Sequence, residues 1–250
     1  FYLAVALCVT LTHYTLIPTM FCDIFSNAFD LQAIFGGFTG SCVMNGIKRG
    51  LFSNEAGVGS APNAAASASV SHPVKQGLVQ MLSVFIDTIL ICTATACLLL
   101  CSGVAPSEEL KGMPWVQAAA SESLGSFGTV FITVALCLFA FTTLIGNFYY
   151  AEMGLKYLCG KTPGKALLNL FRVIASLIVL AGAVMEFGLV WSTADVLMGF
   201  MALINLPVIL ILGGTAVRCM QDYVKQKKEG KDPVFKASDI ELKDKTDFWN

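Results

Sequence analysis

Residues 45–77, NGIKRGLFSNEAGVGSAPNAAASASVSHPVKQG, decide how the rest of the chain divides. The stretch stands between strongly apolar segments, yet glycine, alanine, serine and asparagine crowd it too densely for a membrane span. After Phe52 its only bulky apolar residues are Val58, Val70 and Val74. Small residues let other backbones approach closely, and Lys48, Arg49 and Lys75 bracket the segment with positive charge.

Working outward, the chain is 56% hydrophobic and 13% charged with a mean hydropathy of +0.71, which excludes an ordinary soluble domain. A helix that crosses a bilayer needs about 20 mostly apolar residues. Residues 1–21, 28–46, 76–102 and 127–150 qualify, and so does 166–213, which is too long for one crossing. Glu186, Phe187 and Gly188 divide that last region into 166–185 and 189–212. Backbone polar groups must be satisfied internally in lipid, so the expected fold is an all-α membrane protein with six transmembrane helices. The transmembrane bundle is expected over 1–217 and a solvated cytoplasmic tail, helical at its start, over 218–250.

Charge placement supports the same division. Of 16 Lys and Arg, three lie in 47–75, four in 154–172 and eight after Gly213, leaving only Lys111 elsewhere. Fifteen of the 16 therefore fall on alternate sides of the expected spans. The positive-inside rule places 47–75, 154–172 and the C-terminal tail in the cytoplasm. The chain begins inside an apolar run at Phe1 with no secretory leader, which suggests a fragment. Nine cysteines, mostly in the spans, show no paired spacing outside the membrane, and Cys92, Cys97 and Cys101 fit small apolar packing. The formal charge of −1 points to no nucleic-acid partner. No dinucleotide, P-loop or metalloprotease pattern occurs, and His13 and His72 lack partners at ligand spacing, so an enzyme is not expected.

Prolines punctuate the spans. Pro73 suits the first turn of the third span and Pro62 the start of a small helix, while Pro18 and Pro207 should kink the helices that contain them. The long connection 103–125 either carries a short helix across the outer mouth or is a surface loop with one helical turn.

Several polar residues lie at membrane depth. Gly36, Gly37, Thr39, Gly40 and Ser41, in GGFTGS, weaken the second span. One reading is a discontinuous helix whose exposed backbone groups hold a substrate; the other is close helix packing through small residues. In AFTTLIGNFYYAE, 140–152, Thr142 and Thr143 offer oxygen ligands for a hard cation such as Na⁺. Asn147 shares a helix face with Thr143, and an amide in lipid needs a partner or a cavity. Threonines bonded back to their own helix are the competing reading. Asp87, near the middle of the third span, is a candidate ion relay or a structural hydrogen-bond acceptor. Asp195, with Asn205, lines an outer vestibule or meets water. Lys48, Arg49 and Glu55 are expected at the cytoplasmic face, as a surface ion pair or an inner gate.

GIKRGLFSNEAGVGSAPNAAA, HPVKQGL, FIDTILICTATA, FAFTTLIGNFYYAE and DVLMGFMALINL together resemble the alanine or glycine:cation symporter family, the sodium:alanine symporters. The resemblance covers nearly all of 1–212. It implies two five-helix inverted repeats, each opening with a broken helix, as in amino acid–polyamine–cation type transporters. The span at 1–21 then resembles the end of the first repeat, and 28–46 opens the second. It further implies a sodium site at Thr142 and Thr143 and a substrate pocket faced by Asn147, where many members carry Trp. The N-terminal half of the transporter, with its own broken helix, is expected to be missing from this chain. The expected activity is Na⁺-coupled symport of alanine or glycine across the plasma membrane by alternating access. A proton-coupled or passive amino acid carrier or channel using Asp87 is the alternative, and a non-transporting helical scaffold is a third.

Overall fold

The computed structural model describes residues 1–28, 38–55, 57–105, 107, 110, 112–160, 163–240, 242 and 249; for 27, 28, 38–43 and 45 only the backbone is described. All regular structure among these residues is helical. Four helical stretches are long and apolar enough to cross a membrane: Pro73–Cys101, Ser126–Leu158, Lys165–Val184 and Phe187–Lys228. Each falls on an expected span; Lys165–Val184 matches its span to within one residue, and the last runs more than a dozen residues beyond its span.

The first expected span departs from a single rod. Helix α1 (Tyr2–Thr12) and helix α2 (Ile17–Ala28), joined by a 3₁₀ turn at Tyr14–Leu16, are bent by 80°. The cause lies in Pro18. Its ring would clash with the carbonyl of Tyr14 in a continuous helix, and it has no N–H to donate. His13 takes up the break with φ −117° and ψ 32°. The described residues thus supply four spans, or five if this bent pair crosses as one, in place of six. Much of the second expected span, with Gly36 and Gly37, lies outside the described residues. Helix α3 (Phe38–Ser53) follows it.

Two compact units divide the chain, one comprising 1–47 and 84–148, the other 48–83 and 149–250. The first unit is built on α1, α2, helix α5 (Pro73–Phe85) beyond Val84, a π-helical turn (Ile86–Cys92), helix α6 (Thr93–Cys101), helix α7 (Met113–Leu124) and most of helix α8 (Ser126–Leu158). Its core is small and dry. Ala6 and Val9 of α1 meet Ala94 and Leu98 of α6 and Ala119 of α7. Ala120, Phe131 and Ile132 form an adjoining cluster over Tyr2 and Val5, and Cys97 and Cys101 pack as apolar residues on Met20. The connection 103–125 therefore carries three helical turns with a buried face, rather than one turn on the surface. Gly128 permits the tight return from α7 into α8, because a Cβ there would collide with the carbonyl of Ala120.

The second unit holds the small helix α4 (Ala61–Ala66), which starts around Pro62 as expected, the first residues of α5 with Pro73 at its head, helix α9 (Lys165–Val184) and helix α10 (Phe187–Lys228). Pro207 does not end α10, which runs 42 residues in all. From Val173 onward the exposed side chains of α9 are mostly apolar: Ile174, Leu177, Ile178 and Leu180 are all exposed. That surface matches lipid, where every backbone group is already paired within the helix.

Candidate functional site

Gly36 and Gly37 fall outside the described residues, and α3 begins directly after them at Phe38. Thr39, Gly40 and Ser41 thus stand in the first turn of a helix, where N–H groups lack intrahelical acceptors.

On α8, Thr142, Thr143 and Asn147 are all exposed. The Thr142 hydroxyl donates to the Phe139 carbonyl at 2.9 Å. Donating its proton this way leaves the oxygen lone pairs free to accept, so back-bonding and cation ligation are compatible.

Asp87 sits in the π-helical turn Ile86–Cys92, where it is half-buried. Such turns interrupt the i→i−4 ladder and are frequent at functional sites. The neighbouring Thr88 hydroxyl is buried without a partner among the described residues.

In the second unit the polar residues converge on α10. Nη2 of Arg49 donates to both carboxylate oxygens of Asp195, at 3.1 and 2.9 Å. The guanidinium also lies over the Trp191 ring, 4.6 Å from its centroid. Phe52 and Phe187 stack on the same indole at 5.2 and 5.5 Å. A cation over an indole contributes about 0.5–1 kcal/mol or more as water is excluded. Farther along α10, Asn205 donates to the Gly57 carbonyl at 3.0 Å. Gly57 and Gly59 hold φ of +85° and +98°, and a Cβ would meet Leu206 at 2.8 Å and Asn205 at 2.9 Å. Only glycine fits both the backbone and the space. The glycines of the SNEAGVGS segment therefore allow its backbone to lie on α10.

These contacts correct two expectations. Arg49 pairs with Asp195 and not with Glu55; Glu55 occupies instead the one positive φ among described non-glycine residues, +49°. The segment 47–75 also does not lie at one level. Arg49 meets Asp195, whereas His72 meets Asp222, and at ~1.5 Å per residue these points on α10 are ~40 Å apart. That exceeds the ~30 Å of a hydrocarbon core, so Arg49 and His72 contact α10 at widely separated levels.

Apolar helices of spanning length, carrying polar groups along their length, define a multi-pass helical membrane protein. Comparison with known proteins sharpens that class. The model of the sodium:alanine symporter family matches residues 1–237, and the chain belongs to that family. It is 44% identical to the amino-acid carrier protein AlsT of Bacillus subtilis over 99% of this chain and 52% of that protein. It is 42% identical to the probable sodium/glutamine symporter GlnT of the same organism, over 94% of this chain and 48% of that protein. Identity to the sodium/alanine symporter AgcS of Methanococcus maripaludis is 40%, over 87% of this chain and 48% of AgcS. The chain thus spans about half the length of the curated relatives it matches. The family and these relatives are transporters, not enzymes.

Proposed function

We propose that this chain works in Na⁺-coupled symport of a small neutral amino acid, alanine or glycine, across the plasma membrane by alternating access. The observation that carries the reading is the cluster of polar groups in the middle of α8: two adjacent hydroxyls and an amide within the otherwise apolar stretch 134–148. Na⁺ is cargo in this scheme. Thr142 and Thr143 supply it with hydroxyl oxygens, and Asn147 offers both a donor and an acceptor to the zwitterion. The start of α3 at Phe38, with Gly36 and Gly37 before it, offers backbone N–H groups to the substrate carboxylate, as discontinuous helices of transporters do. Six spans in an inverted-repeat arrangement are part of the same proposal.

The C-terminal tail faces the cytoplasm in this reading, which puts the Arg49–Asp195 pair in the outer half of the membrane. Closing that side needs a contact that can form and break. A partly exposed ion pair backed by stacked aromatic rings suits that role, whereas Glu55, with its strained backbone, stands beside the segment that must move. Uptake of labelled alanine into proteoliposomes holding the intact protein tests the proposal. Uptake is expected to fall at least tenfold when choline replaces Na⁺; undiminished uptake refutes sodium coupling. A second reading, proton coupling, is favoured by Asp87 on its π-helical turn. It predicts uptake driven by an imposed pH gradient in choline and abolished by Asp87→Asn.

A further inference from the structure

At ~1.5 Å per residue the 42 residues of α10 extend ~63 Å, about twice the thickness of a hydrocarbon core, so its last turns stand clear of lipid. There the chain folds back instead of dispersing into solvent. The sequence predicts a solvated tail, yet Pro233, Phe235, Ala237 and Ile240 are buried. What buries them is a polar and aromatic knot around His72, whose side chain is fully buried. Its Nδ1 accepts the Val74 N–H at 3.2 Å, so the ring proton sits on Nε2 and is donated to Asp222 at 3.2 Å. Tyr223 of α10 and Phe235 of the tail each present a ring edge-on to the imidazole at 5.2 Å.

The tail is tied to the 71–75 connection by main chain as well as side chains. The Phe235 N–H donates to the Ser71 carbonyl at 2.9 Å, and the Ser71 hydroxyl donates to the Pro233 carbonyl at 3.0 Å. Lys75 reaches Asp232 at 2.7 Å. Gln226 exchanges hydrogen bonds with both backbone groups of Val234, at 3.0 and 2.9 Å, as a neighbouring strand would. The Ala237 N–H then donates to the carbonyl of Trp249, whose ring packs edge-on to Phe235. A cavity of about 840 Å³ is lined by Trp249 and Leu212 together with Pro62, Ala66, Ser67 and Val70 of the small-residue segment. That volume is in the range of small-molecule sites.

We propose that residues 229–240 are a strap that fastens the 71–75 connection to the end of α10, and that Trp249, packed on its Phe235, serves as a lid on the cavity beside residues 61–77. While the strap is seated, the connection and α10 move as one body and the cavity stays walled. When Phe235 withdraws, His72 loses its cover and the cavity opens on the tail side. Its role as a lid on a release path rests on the transport reading; the strap itself does not.

Hydrogen exchange of the intact protein in nanodiscs tests it, comparing wild type with Phe235→Ala. Exchange across 61–77 is expected to rise at least tenfold, with exchange in Lys165–Val184 unchanged. A rise below threefold overturns the proposal, and a rise of threefold or more confined to 61–77 and the tail supports it. If Phe235→Ala loses protection throughout, Asp232→Lys decides, since Asp232 is largely exposed and lies outside the core of the knot. Exchange across 61–77 is then expected to rise about threefold and to return in the Lys75→Asp/Asp232→Lys double variant; no rise, or a rise without rescue, overturns the strap. Exchange reads the strap whether or not Na⁺ drives uptake, so its failure and the failure of the transport reading are told apart.

Discussion

The core over α1, α6 and α7 and the contacts along α10 solve the same problem with different chemistry. In the first, alanines, Val9 and Leu98 meet with almost no accessible surface and few polar atoms. Along α10, Arg49, Asn205, His72 and the tail make directed hydrogen bonds and ring contacts, many of them part-exposed. Close packing has one arrangement and is lost as a whole. Directed polar contacts can be released one at a time and remade. The first is suited to a fixed frame and the second to surfaces that separate during a cycle.

Breaking the frame should have the largest effect. Leu98→Ala removes buried contacts at a site where only 1% of the residue is exposed, and about 2–5 kcal/mol of stability should be lost. Thermal unfolding in detergent would read this, and a change under 1 kcal/mol would show that the core is loosely packed. Gly59→Ala comes next, at about 1–3 kcal/mol, because φ is +98° and Asn205 occupies the space a methyl group needs. Conversely, Gly77→Ala, with open space around it, should leave the midpoint unchanged.

The Arg49–Asp195 pair should cost less to break than the frame. Its side chains are 38% and 20% exposed, which places it between surface pairs near 0–1 kcal/mol and buried ones near 3–5 kcal/mol. Asp195→Ala should cost about 1–3 kcal/mol, and much of this should return in the Arg49→Ala/Asp195→Ala double variant. Additive losses in that cycle would mean that the two side chains do not act as a pair.

The smallest effect is expected at the strap's outer tie. The hydrogen bond from Lys75, and then its charge, hold the Asp232 carboxyl below the usual aspartate range. A carboxylate whose folded value is lowered adds stability above its unfolded value, about 3.9, and loses it as the pH falls through the folded value. The melting difference between wild type and Asp232→Asn should therefore be present at pH 6 and shrink progressively as the pH is lowered below about 4. A difference that persists in acid would show that charge is not what Asp232 contributes.

Much of this division was legible in the sequence and some was not. Runs of apolar residues placed Pro73–Cys101, Ser126–Leu158, Lys165–Val184 and Phe187–Lys228, because hydropathy over about 20 residues is a strong local signal. Pro18 announced a kink, but its size depends on how Tyr14–Leu16 re-forms hydrogen bonds around the lost one. The partner of Arg49 lies 146 residues away, and nothing local distinguishes Asp195 from Glu55. Positive charge put Lys48 and Arg49 with Lys75, although contacts along α10 separate them. The tail's charge concealed its burial, since Pro233, Phe235 and Ile240 are spaced too widely to form a periodic face. A π-helical turn around Asp87 leaves no sequence periodicity to find. The proposed site residues on α8 were visible as polar interruptions, while Gly36 and Gly37 lie outside the described residues.

If oxygen atoms on α8 receive the coupling ion, the Na⁺ dependence of alanine binding to the intact protein must change when those oxygens are removed. With Thr143→Ala, the Na⁺ concentration for half-maximal alanine binding should rise at least tenfold, with binding restored at saturating Na⁺ and by Thr143→Ser. An unchanged Na⁺ dependence in Thr142→Ala, Thr143→Ala and the double variant, all folded as judged by their melting, would contradict the account.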